Sequence, residues 1–239
     1  MSAYQQLTTE PRRRIVVFDA DDTLWDCQGH FERVMQQLYH ELLPWTHSLE
    51  ESARQLFATE RKNMHLLGYG VKAFTLSIVE TAMRVSQGEM PVSTIQALLN
   101  KCYTLLEFPT TPLPHVTDTL AELQRRGYPL VVFTKGELLD QQHKLERSGL
   151  QHFFCHLEIT SDKGEAEFLA LTERLGASPD QLLMVGNSLR SDVAPALAAG
   201  WQAVHIPFHV TWELEQHDAF EHPNLTTISR FDQLLSLLP

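Results

Sequence analysis

The stretch RRRIVVFDADDTLWD, residues 12–26, runs four apolar residues, Ile15 to Phe18, directly into aspartates at positions 19, 21 and 22. A short apolar run bounded by polar residues reads as a buried strand. Carboxylates set this closely repel one another unless positive charge lies among them. A strand that delivers acids to its end, with a cation waiting there, reconciles the two halves of the stretch.

Working outward, the chain changes rhythm twice. Between about residues 30 and 107 the pattern is helical: Phe31, Val34, Met35, Leu38 and Leu42 recur at spacings of three and four. Pro44 is predicted to end that helix. A second helix is expected over 48–67, closing at GYG (68–70), a third from Val71 and a fourth from near Pro91. The proline-rich FPTTPLP, 108–114, reads as a linker. From 115 onward helices and apolar strands alternate: helix 115–126, strand 128–134, helix 137–148, strand 153–160, helix 164–175, strand 181–187, helix 191–199 and strand 201–207.

Alternation of this kind with continuously apolar strands predicts an α/β fold, a doubly wound parallel-sheet, Rossmann-like core covered on both faces. Because Ile15–Phe18 belongs to that sheet, the helical region is an insertion. The expected domains are therefore 1–25 with 110–239 as the core, and 26–109 as an inserted α-helical domain. In open parallel sheets ligands sit beyond the carboxyl ends of the strands. Asp19, Asp21, Thr134, Lys163, Asn187 and Asp192 all fall at or just past predicted strand ends, so they are expected to share one edge.

Composition narrows the function. The 239 residues are 43% hydrophobic, enough for a core without staples. A formal net charge of −11 argues against nucleic acid as a partner, since phosphate-backbone binding rests on a surplus of Lys and Arg. A small phosphorylated substrate held by local cations remains compatible with it. Cys27, Cys102 and Cys155 are odd in number and widely spaced, which suits a reducing cytoplasm better than a disulfide framework. The apolar run after Arg12–Arg14 is too short for a signal peptide, and those arginines read as a solvated strand entrance. No stretch approaches the ~18 apolar residues of a membrane span, so no membrane partner is expected. Histidine pairs 152/156 and 205/209 lack the helical context that would put both on one face, so no histidine metal site is expected.

Four motifs then stand in order: DADDT (19–23), FTKG (133–136), DKGE (162–165) and VGNSLRSD (185–192). Together, with a helical insert between the first two, they resemble the haloacid dehalogenase-like (HAD) superfamily. The resemblance implies a phosphoryl-transfer enzyme, specifically a Mg²⁺-dependent phosphatase acting on a small phosphorylated metabolite. Asp19 matches the nucleophile, Asp21 the general acid/base, and Thr134 the strand-end hydroxyl on the phosphoryl group. Lys163 matches the phosphate-neutralising lysine, with Lys144 the runner-up. Asp19, the backbone carbonyl of Asp21, Asn187 and Asp192 match the Mg²⁺ site, although an acid is usual where Asn187 stands. That amide is read either as a ligand or as a supporting group. Asp22 is read as a turn residue, Thr23 and Ser188 as loop supports, Cys27 as packing, and Lys135 as extra positive charge or a solvated side chain. The cap expected of the family makes Tyr69 and Lys72 candidates for substrate contact. A phosphomutase, a dehalogenase and a non-catalytic phospho-ligand-binding module are the rival readings, and a monomer is expected. The dehalogenase branch lacks an aspartate two residues after the nucleophile, so Asp21 favours phosphoryl transfer.

Overall fold

Every residue of β1 (Ile15–Phe18) is buried, and it hydrogen-bonds to a parallel neighbour on each side. The computed structural model describes residues 14–210, 212–215 and 217–239; Arg12 and Arg13 lie outside them. After β1 come four helices, α1 (Gln28–Thr46), α2 (Leu49–Leu67), α3 (Val71–Val85) and α4 (Val92–Tyr103). The chain continues through α5 (Val116–Arg125), β2 (Leu130–Lys135), α6 (Leu138–Ser148), β3 (His156–Thr160), α7 (Glu165–Leu175) and β4 (Leu182–Gly186). It closes with α8 (Ala194–Ala198), β5 (Gln202–His205), β6 (Leu225–Thr227) and α9 (Leu234–Leu237). The described residues form two compact units, one made of those up to Cys27 with Thr110–Pro239, the other of Gln28–Pro109.

In the first unit the six strands make one parallel sheet in the order β3-β2-β1-β4-β5-β6, the doubly wound arrangement that the alternation predicts. Phe18 is in register with Val132 on one side and Val185 on the other. All three central strands therefore finish at one edge, with Asp19, Thr134 and Asn187 just beyond that row. One face of the sheet is covered by a cluster that includes Val17, Phe133, Met184, Phe168, Leu171 and Trp201. The Trp201 indole satisfies its N–H on Thr172 Oγ1 at 2.8 Å, which removes the cost of burying it. Phe18 points to the opposite face, where its ring stacks 5.7 Å from Phe231. Burying each large apolar side chain contributes about 1.5–3 kcal/mol.

The helical unit has its own core, in which Leu38, Leu42, Leu56, Ile78 and Leu98 are fully buried. Pro44 does not end α1, contrary to the prediction; the helix runs two residues further, to Thr46. A proline in a last turn forfeits one backbone bond, and here the bonds His47 N to Leu43 O (3.1 Å) and Thr46 Oγ1 to Leu42 O (3.1 Å) hold the end. Ser48 caps α2 by accepting from Glu51 N at 3.0 Å, and Gly68, at φ 68°, ends it.

Elsewhere the differences lie at boundaries. Strand β3 starts at His156 because Gln151–Phe153 form a 3₁₀ turn first. The segment expected as a helix from 191 opens instead as a π-helical turn, Leu189–Val193, before α8. β6 and α9, three and four residues long, are too short to show a period.

Candidate active site

The loop after β1 is built on its own aspartates. Asp22 adopts φ 62°, a conformation that Asp tolerates better than most residues. Its Oδ1 accepts from Cys27 N at 2.8 Å, and its own N–H bonds Trp25 O at 2.8 Å, the turn role expected of it. That turn leaves Asp19 and Asp21 with separate surroundings.

Asp19, 8% exposed, accepts a 2.7 Å bond at Oδ1 from Lys163 Nζ. The same ammonium donates to Asp192 Oδ1 at 2.6 Å. Thr23 Oγ1 lies 3.2 Å from Asp19 Oδ2 and 3.1 Å from Asn187 Oδ1, so one hydroxyl spans the two oxygens. Asp192 is held from behind by Ser188 N, which donates to its Oδ2 at 2.9 Å. It also packs so close to Gly186 that a Cβ there would collide with the carboxylate. The glycine of VGNSLRSD is thus a matter of space. Burial raises the Asp19 pKa to about 7; the Asp192 charge adds to this, and Lys163 only partly offsets it.

Asp21 is surrounded differently. Its Oδ1 accepts from Trp25 Nε1 at 2.8 Å and its Oδ2 from Gln141 Nε2 at 2.8 Å. Lys144 Nζ lies 3.0 Å from Oδ2 and also 3.3 Å from Asp140 Oδ2. Burial pushes the Asp21 carboxyl up, but the Lys144 charge, with the Gln141, Lys144 and Trp25 bonds, outweighs it and leaves the pKa below its ordinary value. The two lysines that competed in the sequence therefore serve different acids, Lys163 with Asp19 and Asp192, Lys144 with Asp21 and Asp140.

Thr134, buried, is the penultimate residue of β2. Lys135 after it is neither simply solvated nor at large, for it donates to Ser191 Oγ at 2.7 Å and pairs with Glu215. Glu215 Oε2 also accepts from Ser188 Oγ at 2.8 Å and Ser191 Oγ at 2.5 Å. His205 Nε2 reaches Asn187 O at 3.0 Å. Sequence reasoning missed both Glu215 and His205. His205 lies within the predicted strand 201–207 and is the last residue of β5, a usable signal, whereas nothing in the pattern around Glu215 marks it. Cys27 is buried, with Sγ 3.7 Å from Lys144 Nζ, and burial foremost holds its thiol well above the usual value. Tyr69 and Lys72 belong to the helical unit, at the turn into α3 and in its first turn.

The donor set suits a hard divalent cation. Asp19, Asp192, Asn187 Oδ1 and the Asp21 carbonyl are oxygens of the kind Mg²⁺ takes. Two carboxylates share one ammonium, so the three groups when ionised carry one net negative charge. Among the described residues no cluster of three or more His, Cys, Asp or Glu is arranged for a metal.

A family model described as haloacid dehalogenase-like hydrolase matches residues 13–200. The chain belongs to the haloacid dehalogenase-like hydrolases. This hydrolase is 26% identical over 235 residues to the glyceraldehyde 3-phosphate phosphatase of Methanothermobacter thermautotrophicus, a match covering 94% of this chain and 99% of that one. It is 29% identical over 218 residues to the phosphoglycolate phosphatase of Escherichia coli O157:H7, covering 82% and 81%. Among solved structures, a haloacid dehalogenase-like family hydrolase from Xanthomonas campestris superposes with a TM-score of 0.84 at 27% identity, covering 95% of this hydrolase and 92% of that chain. No described helix of this hydrolase is long and apolar enough to cross a membrane.

Proposed function

We propose that this hydrolase is a Mg²⁺-dependent phosphatase that cleaves a small phosphomonoester through an aspartyl-phosphate. The observation that carries the reading is the pair Asp19 and Asp21, two residues apart yet held by different lysines, Lys163 on Asp19 and Lys144 on Asp21. Attack needs Asp19 ionised, which the Lys163 charge favours against burial and a bound Mg²⁺ would favour further. The names of the phosphatase relatives support the substrate class.

Asp19 attacks the phosphorus in line, forming the Asp19–phosphorus bond as the bond to the leaving oxygen breaks. Asp21 in its protonated form gives a proton to that oxygen and, now ionised, takes one back from the water that displaces Asp19 and releases inorganic phosphate. Lys163 and Thr134 hold the phosphoryl oxygens as charge builds on them. Asp19, the Asp21 carbonyl, Asp192 and Asn187 would hold Mg²⁺, which when bound polarises the phosphoryl group. Tyr69 and Lys72 are the candidates for recognising the non-reacting part of the substrate. The three free cysteines fit a reducing, cytoplasmic setting, and a monomer is the working assumption.

The test is phosphate release from a panel of small phosphomonoesters, with and without Mg²⁺, for the native chain and Asp19→Asn. Metal-dependent release that disappears in the variant is the expected result. Release that survives the substitution removes Asp19 from the chemistry.

A further inference from the structure

An ordinary amphipathic helix laid on a sheet buries an apolar stripe. Helix α6 instead buries Asp140, Gln141 and Lys144, with Leu145 the only apolar member of its buried set. That choice is costly, because buried polar groups must find partners, and Asp140 Oδ1 and Gln141 Oε1 find none among the described residues. Gln141 and Lys144 converge on one target. Gln141 Nε2 donates to Asp21 Oδ2 at 2.8 Å, and Lys144 Nζ lies 3.2 Å from Oδ1 and 3.0 Å from Oδ2. With Trp25 Nε1 on Oδ1, both oxygens of Asp21 are fixed.

Two further contacts brace the arrangement. Asp140 Oδ2 draws Lys144 from its other side at 3.3 Å, and Gln141 Nε2 also bonds Lys135 O at 3.1 Å. Gly136, at φ 141°, leaves room for that amide; a Cβ there would come within 2.9 Å of Gln141 Nε2. The glycine of FTKG is therefore tied to the side chain five residues on.

We infer that Gln141 and Lys144, working with Trp25, are positioning residues that hold the Asp21 carboxylate in one orientation for its proton transfers. The inference rests on the reading of Asp21 as the acid/base. A carboxyl must meet the leaving oxygen and then the attacking water at nearly the same place, so a freely turning side chain would lose rate at both steps. A purely structural α6 would be served as well by apolar residues of similar volume, which often match or exceed a buried ion pair in stability.

The experiment compares Gln141→Leu, Lys144→Met and Lys144→Arg in the native and Asp21→Asn backgrounds, with 4-nitrophenyl phosphate and Mg²⁺, alongside crystal structures of the variants. Gln141→Leu and Lys144→Met should each lower kcat tenfold or more with KM within twofold, and Lys144→Arg should restore part of the loss. In the Asp21→Asn background neither should change the residual rate by more than twofold. The Gln141→Leu structure should show the Asp21 carboxylate turned away from the Trp25 indole. If Lys144→Met fails to fold, Gln141→Leu decides. A kcat within twofold of native while Asp21→Asn is inactive overturns the inference, as does an equal loss in both backgrounds or an Asp21 unmoved in the variant structures. Full turnover by Asp21→Asn instead removes the acid/base reading, and the crystal structures then still decide whether α6 orients Asp21.

Discussion

Thr23 Oγ1 lies 3.1 Å from Asn187 Oδ1, joining the loop after β1 to the loop after β4 across 164 residues of sequence. The same hydroxyl lies 3.2 Å from Asp19 Oδ2. Having a single proton, it serves two oxygens that are both candidates for the cation. The amide is thereby tied to the loop that carries Asp19.

Asn187→Asp should accordingly tighten Mg²⁺ binding severalfold, since it adds a formal charge to the same donor position. A Mg²⁺ titration of phosphate release, with calorimetry of metal binding beside it, checks this. An unchanged midpoint would place Asn187 outside the cation's reach.

The raised Asp19 pKa makes stability of the metal-free protein depend on pH. The folded state keeps its proton up to about pH 7, whereas the unfolded chain releases it near the ordinary value of 3.8. Between those values the folded state binds more protons, so stability falls as pH rises. In chelator, native Tm should drop by several degrees from pH 5 to pH 7.5 relative to Asp19→Asn, and Mg²⁺ should recover the difference. Thermal melts of both proteins across that range are the measurement.

Lys163→Met leaves Asp19 and Asp192 facing each other without the ammonium between them. Turnover should fall at least a hundredfold. Removing one member of a buried ion pair costs about 3–5 kcal/mol, so the melting temperature in chelator should fall as well. Saturating Mg²⁺ should return part of the stability but not the rate. Melts and phosphate release on the same preparation separate the two effects.

Glu215→Gln weakens the anchor that Ser188, Ser191 and Lys135 share. Its expected effect is a severalfold loss of Mg²⁺ affinity, transmitted through the Ser188–Asp192 segment. Glu213→Gln, on an exposed neighbour, should have none. Equal Mg²⁺ titrations for the two variants would confine Glu215 to local packing.

Much of this geometry is written in short-range pattern. Ile15–Phe18 followed by acids specifies a central strand and its cargo, because a parallel strand buried on both faces has no polar positions to spare. Asp19, Lys163 and Asp192 meet because each follows or caps an element of that sheet. The role of Lys144 was out of reach for a different reason. Spacing puts residues 141 and 144 on one face of a helix, but nothing local says that this face looks toward Asp21. Glu215 lies in a segment with no period, and its partners are all distant in sequence. Pro44 misled because a helix end is decided by the bonds around it, here those of Thr46 and His47, as much as by the proline.

The position of β1 has a consequence for how the chain reaches its native state. The first strand among the described residues is an interior one, flanked by β2 and β4, so its two partners emerge from the ribosome only after the whole helical insertion has been synthesised. Until then Ile15–Phe18 is an apolar segment with both edges open, the kind of species that invites wrong pairing. The helical unit, closed around its own core, is made during that wait. Refolding from denaturant should therefore show a fast helical phase and a slow one, set by the long-range pairing of β1 with β4.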